Sequence, residues 1–122
     1  MTNTILIVDD VPLTRELLKK FLAPEGYATV EAENGAQAMA MLSQNAVGLV
    51  ICDLQMPAVN GIDFTLLVRM HESYAALPVL MLSANTDPDV QAIGRKAGVT
   101  EWMGKPFTRN QLIDAVKRLM QP

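Results

Sequence analysis

The stretch Leu49-Val50-Ile51-Cys52-Asp53-Leu54-Gln55-Met56-Pro57 decides how the rest of the chain is read. Its first four residues, Leu49 to Cys52, are apolar without a break, and an acidic residue follows at once. A continuous apolar run of that length fits a strand covered on both faces, as in the interior of a parallel sheet. Two similar runs flank it in sequence, Ile5 to Val8 and Val79 to Leu82. Tyr27 to Ala32 alternates instead, with Tyr27, Thr29 and Glu31 set against Ala28, Val30 and Ala32. A period of two marks a strand with one wetter face, so this segment is placed at a sheet edge. Val99 to Met103 is less apolar than the central three and is read as a fifth strand at the other edge.

Helical spacing fills the intervals. Leu13, Leu17, Leu18, Phe21 and Leu22 recur every three to four residues, the spacing of one buried stripe. Ala38, Met41 and Leu42 repeat it, as do Ile62, Leu66, Leu67 and Met70, then Val90, Ile93 and Ala97, and finally Leu112, Ile113, Val116, Leu119 and Met120. Asp87-Pro88 supplies an N-cap with proline at the first helical position. Thr108 with Gln111 three residues later has the spacing of a capping box. Gly26 and Gly98 stand where helices give way to strands, which suits left-handed C-terminal caps.

Strand and helix thus alternate five times. Right-handed crossovers then give a parallel sheet with helices on both faces, an α/β doubly wound fold in one domain over residues 1–122. In open sheets of this class, ligands bind beyond the carboxyl ends of the strands. Those ends carry Asp9-Asp10 after the first strand, Asp53 after the third, Ser83-Ala84 after the fourth and Lys105-Pro106 near the fifth. Three carboxylates gathered at one rim repel each other unless protonated or bound to a cation. A hard divalent ion with oxygen ligands answers that repulsion, and Mg²⁺ suits few carboxylates with retained waters and a phosphate oxygen. Lys105 and Ser83 add a point charge and a donor suited to a phosphoryl group. Each aspartate alone also reads as a turn or cap residue, Asp10 as a cap of the first helix among them. Acid, acid, hydroxyl and base at four of five strand ends favours a cluster.

Composition narrows the field. With 122 residues the chain has the size of one domain, and 50% hydrophobic against 19% charged residues excludes general disorder. A net charge of −3 leaves no basic surplus for binding nucleic acid directly. One cysteine, Cys52, forms no internal disulfide or zinc cluster, and one histidine, His71, late in the third helix, builds no histidine metal site. Cys52 is read as a small core residue, and Met39, Met41, Met70 and Met81 as core filling. No apolar run reaches the roughly 18 residues of a membrane span. The N-terminus opens directly into a strand without a signal peptide, so a cytoplasmic setting is expected.

Asp9-Asp10 after the first apolar strand, Asp53 followed by Met56-Pro57 and Gly61, Ser83-Ala84, and Lys105-Pro106-Phe107 form an ordered set spanning nearly the whole chain. In these marks the chain resembles the receiver domain of two-component response regulators, and in size the stand-alone receivers of the chemotaxis-regulator type. The resemblance implies a flavodoxin-like sheet in the order 2-1-3-4-5. It implies that Asp53 accepts a phosphoryl group from a phosphohistidine on a histidine kinase or histidine phosphotransfer protein. Mg²⁺ would be held by Asp10, Asp53 and the backbone carbonyl of Gln55, with Asp9 acting through water. Lys105 would pair with the phosphoryl oxygens across a cis bond to Pro106, and Ser83, where threonine is commoner, would move to hydrogen-bond them. Gln55 and Asn85 would flank the hydrolytic water, and two neutral amides there imply a lifetime of intermediate length. Trp102 stands where the family couples an aromatic side chain to this shift. Members usually carry tyrosine or phenylalanine there, so Trp102 is read either as that switch or as a fixed packing or contact residue. The output surface for a downstream protein target would be the fourth helix, fifth strand and fifth helix. Arg15 and Leu13 on the first helix suit contact with the phosphodonor, and the chain is expected to be a monomer or weak dimer.

Other readings divide on particular residues. A small aspartate-dependent phosphatase needs a second acid two residues beyond the nucleophile, where Gln55 stands, and the chain leaves no residues for a cap. A flavin carrier needs a hydroxyl- and glycine-rich loop after the first strand, where Asp9-Asp10-Val11-Pro12 stands. A receiver cut from a longer regulator or hybrid kinase, or a phosphorelay shuttle, fits the same residues. In every receiver reading, catalysis is limited to the chain's own phosphoryl acceptance and loss.

Overall fold

The computed structural model describes residues 2–121, so Met1 and Pro122, the ends of the expected domain, lie outside the described residues. Strands β1 (Thr4–Val8), β2 (Ala28–Ala32), β3 (Leu49–Asp53), β4 (Val79–Ser83) and β5 (Glu101–Gly104) alternate with helices α1 (Pro12–Leu22), α2 (Gly35–Gln44), α3 (Gly61–Arg69), α4 (Pro88–Ala97) and α5 (Arg109–Leu119). The strands form one sheet in the order β2-β1-β3-β4-β5. Every pairing is parallel. This is the flavodoxin-like order that the family resemblance implies. β3 and β4 are buried along their whole length, whereas β2 and β5 lie at the edges and are only partly covered.

Alternate residues of the central strands feed two cores. Ile5, Ile7, Leu49, Ile51, Leu80 and Leu82 pack with Leu18 and Leu22 of α1 and Leu112, Ile113 and Val116 of α5. Leu6, Val8, Val50, Cys52, Val79 and Met81 pack with Ala38 and Leu42 of α2 and Phe64 and Val68 of α3. Two covered faces explain why these strands are apolar at every position. Each large side chain so buried contributes about 1.5–3 kcal/mol relative to exposure.

The helix ends follow the sequence signals closely. Asp87 caps α4 ahead of Pro88, and Thr108 with Gln111 makes a reciprocal capping box on α5. Gly98 ends α4 at φ 113°, a conformation that side chains with a Cβ rarely adopt. Gly26 is likewise left-handed, but it closes a short 3₁₀ turn, Ala23–Glu25, that continues α1.

Several expected helix faces differ. In α1, Leu18 and Leu22 are buried while Leu13 is 81% exposed and Leu17 is also exposed. In α3 the covered face is Gly61, Phe64, Thr65 and Val68, whereas Leu66, Leu67 and Met70 face solvent. Thr65 tolerates burial because its hydroxyl donates to the Gly61 carbonyl at 2.8 Å. Met70 therefore fills no core, and His71 lies exposed beyond the end of α3 rather than within it. In α4, Gly94 and Ala97 face inward and Ile93 outward. These helices carry more apolar residues than one face can bury, and contact with the sheet selects among equally periodic sets.

Candidate functional site

Register assembles the rim. Val8 pairs with Cys52 across β1 and β3, so the residues that follow, Asp9 and Asp53, arrive side by side. Asp53 pairs with Leu82 on β4, and Ser83 pairs with Gly104 on β5, bringing Ser83 and Lys105 to the same end. The Lys105 backbone N–H donates to the Ser83 carbonyl at 2.9 Å, and the Lys105–Pro106 bond is cis. Asp10, Val11, Asp53, Gln55, Ser83, Ala84, Asn85 and Lys105 line one cleft of about 320 Å³.

One carboxylate oxygen from each of Asp9, Asp10 and Asp53 lies within 4.8 Å of the others. Asp9 and Asp53 are buried and Asp10 is exposed. The Lys105 ammonium donates to Asp53 Oδ1 at 2.9 Å and stands 3.7 Å from Asp9 Oδ2. Asp9 Oδ1 accepts the Val11 N–H at 2.8 Å. Its other oxygen, Oδ2, is buried with no hydrogen-bond partner, alone in this among the described residues. Burial raises the Asp9 carboxyl above its ordinary range; the Val11 N–H opposes the rise and the Asp53 charge adds to it. Asp10 does not cap α1: the N-cap position is Val11, without a side-chain bond, and Asp9 takes the Val11 N–H.

A buried carboxylate oxygen without a donor is costly unless a cation completes it. Three oxygens from a short-reach carboxylate trio, open to solvent on the Asp10 side, suit a hard divalent ion that retains waters. The acidic cluster is compatible with Mg²⁺.

A sequence profile of the response regulator receiver domain matches residues 5–117. The chain belongs to this family. The receiver is 40% identical over 119 residues to the response regulator GtcR of Aneurinibacillus migulanus, covering 98% of this chain and 47% of that protein. It thus spans about half the length of the curated relatives it matches. Among solved structures it is similar to the chemotaxis protein CheY4 of Vibrio cholerae, with a TM-score of 0.93, 31% identity and coverage of 98% of this chain and 99% of that one. It is also similar to the signal receiver domain of a histidine kinase from Syntrophus aciditrophicus, with a TM-score of 0.88, 32% identity and coverage of 96% and 89%. The chain is therefore a receiver domain of two-component signalling systems. No helix among its described residues is long and apolar enough to cross a membrane.

The remaining expected residues of the receiver fall into two groups. Gln55 and Asn85 line the cleft as exposed amides, and Ser83, buried, accepts the Asn85 N–H on its hydroxyl at 2.9 Å. Trp102 lies outside the carboxylate cleft, half-buried on β5, and its indole N–H donates to the Asn85 carbonyl at 3.1 Å. Cys52, behind Asp53, is fully buried, and burial pushes its thiol far up. Sequence reasoning missed Val11, whose backbone N–H holds Asp9, and Gly94, beside which the Trp102 ring sits. No residue-type signal marks a backbone donor, and a small residue within a helix pattern points nowhere by itself.

Proposed function

We propose that this receiver is a phosphorylation-driven switch taking a phosphoryl group onto Asp53 from a phosphohistidine of a histidine kinase or histidine phosphotransfer protein. One observation carries the reading: Asp53, at the end of an interior strand, meets the Lys105 ammonium at 2.9 Å beside a buried oxygen of Asp9 that accepts no hydrogen bond. In the transfer, a carboxylate oxygen of Asp53 bonds to phosphorus as the phosphorus–nitrogen bond breaks, and the imidazole nitrogen keeps that electron pair. Lys105 holds the phosphoryl oxygens by charge, and the Ser83 hydroxyl donates to one of them. Asp10, Asp53 and the Gln55 carbonyl would hold Mg²⁺, with Asp9 acting through water, and the ion would supply neutralisation of the phosphoryl charge.

The chain catalyses only its own phosphoryl acceptance and loss and turns over no free metabolite, since Gln55 stands where a phosphatase of this kind needs its second acid. Exposed neutral amides at Gln55 and Asn85 neither supply a base nor wall off water, which supports a phosphoryl lifetime shorter than many hours. The gain of about one negative charge at the rim then alters binding of a downstream protein along α4, β5 and α5. On the β5 and α5 part of that face, Trp102, Met103, Gln111, Asp114 and Arg118 border a groove of about 590 Å³, which supports that role.

Acetyl phosphate with Mg²⁺, followed by mass spectrometry of the labelled chain, tests the proposal. Label on Asp53, lost in Asp53→Asn and Asp53→Ala, is the expected result. Donor turnover far faster than label decay would favour a phosphatase instead. A second reading, that the receiver governs a segment joined to it, is favoured by relatives about twice as long as this chain. The reading frame around the coding sequence decides that point.

A further inference from the structure

Trp102 joins β5 to the loop between β4 and α4 by one contact and to α4 itself by a second. Its indole Nε1–H donates to the Asn85 carbonyl at 3.1 Å. Its ring also fills the space beside Gly94, where a Cβ would stand 2.7 Å from Cζ3. Asn85 is tied in both directions. Its N–H donates to the Ser83 hydroxyl oxygen at 2.9 Å, and its side-chain oxygen accepts the Asp87 N–H at 3.0 Å. Asp87 in turn caps α4 by accepting the Asp89 N–H at 2.8 Å. A continuous series of hydrogen bonds therefore runs from the Ser83 hydroxyl to the first turn of α4, and the indole grips its middle. The grip is anchored, because Trp102 pairs with Met81 in the sheet.

We propose that Trp102 is a fixed clamp, a positioning residue that holds the loop through Asn85 and so restrains the Ser83 hydroxyl. Swinging the ring away breaks the Nε1 bond and empties the space over Gly94, so both contacts oppose rotation. Motion of Ser83 toward a group on Asp53 draws Asn85 with it, against the same clamp. This second effect rests on the phosphoacceptor function of Asp53; the clamp itself does not.

Amide hydrogen exchange of the full chain, without metal or phosphodonor, tests the clamp alone. Trp102→Phe, and an analogue with sulfur in place of the ring N–H, remove the donor and keep most of the packing. Gly94→Ala displaces the ring and keeps the donor. Each should quicken exchange at Asn85, Asp87 and Asp89 by about three- to tenfold, the worth of one net hydrogen bond, with β1 and β3 amides unchanged. Unchanged loop exchange in Trp102→Phe and the analogue would overturn the clamp. Acetyl phosphate with Mg²⁺ then tests the link to Ser83: Trp102→Phe should label Asp53 several-fold faster at unaltered Mg²⁺ affinity. Equal labelling despite a looser loop would overturn that link, and absence of label on the wild type would overturn the function while leaving the exchange result intact. As the sole tryptophan, Trp102 also reports its own position by emission. A constant maximum through labelling is expected, and a red shift would show a ring that swings.

Discussion

Gly61 presses against the backbone of Asp53: a Cβ on Gly61 would stand 2.5 Å from the Asp53 carbonyl oxygen and 2.7 Å from the Met81 sulfur. The Gly61 N–H also donates to the Leu54 carbonyl at 2.7 Å, so the first turn of α3 is fastened to the segment that carries Asp53. Gly61→Ala should therefore destabilise the fold by about 1–3 kcal/mol, as overpacking does. Helix propensity alone predicts the opposite sign, a gain of roughly 1 kcal/mol. Urea unfolding at constant m-value separates the two, and a stabilised variant would show that the contact is not limiting.

Mg²⁺ should raise the unfolding temperature of metal-free protein. A ligand at 100 times its Kd adds about 2.7 kcal/mol, and Asp10→Asn and Asp53→Asn should each reduce that gain at fixed concentration. Calorimetric scans with and without EDTA give the comparison.

Without metal, Asp9 is a liability to the fold. Its carboxyl is raised above 3.8 by burial, opposed by the Val11 N–H and reinforced by Asp53, so the folded state holds its proton more tightly than the unfolded chain. Such a group costs stability above its folded value, and the cost is relieved as pH falls through that value toward 3.8. Asp9→Asn keeps the oxygen that accepts from Val11 and removes the charge. It should stabilise metal-free protein at neutral pH by on the order of 1 kcal/mol. The margin over wild type should shrink in acid, and a margin independent of pH would contradict the assignment.

Lys105 pairs with Asp53 and would compete with a cation for the same oxygens. Lys105→Met should slow Asp53 labelling at least tenfold, yet tighten Mg²⁺ binding. An opposite charge about 4 Å away is worth roughly 1–4 kcal/mol between bulk water and a protein surface, so the tightening should reach several-fold. Titration calorimetry reads the affinity and mass spectrometry the label.

On the opposite edge, Glu31 pairs with Arg15 and with Lys19, each at 3.0 Å. Burial raises its carboxyl, but hydrogen bonds from Lys19 and Arg15 outweigh that and hold it below the ordinary 4.5. The pair's contribution is therefore present above 4.5 and is lost as pH falls through the lowered folded value. Glu31→Gln should cost under about 1 kcal/mol at pH 7, given its partial exposure, and nothing in strong acid. Denaturant melts at the two pH values measure it.

Much of this architecture is local information. Unbroken apolar runs at β1, β3 and β4 require cover on both faces, and the alternation at Tyr27 to Ala32 requires an edge; both patterns lie in contiguous residues. The caps at Asp87, Thr108 and Gly98 are equally local, because each satisfies backbone groups within four residues of itself. Asp9, Asp10, Asp53, Ser83 and Lys105 could be placed at one rim because each directly follows a strand or lies near its end.

Exposure of Leu13, Met70 and Ile93 was not legible, since helical spacing offers several apolar stripes and only packing against the sheet chooses one. The role of Trp102 was equally closed. Its partner is a backbone carbonyl 17 residues away and its seat is the missing side chain of Gly94, neither of which leaves a trace in residue type. Nor does sequence tell which carboxylate oxygen lacks a donor, because the Val11 N–H and the Lys105 ammonium reach Asp9 and Asp53 through turns and register. Periodicity and capping are properties of neighbours along the chain, so the sequence by itself determined the elements, their order and the rim. Which face is covered, which oxygen is orphaned and which loop is clamped depend on neighbours through space, and only the tertiary structure decided those.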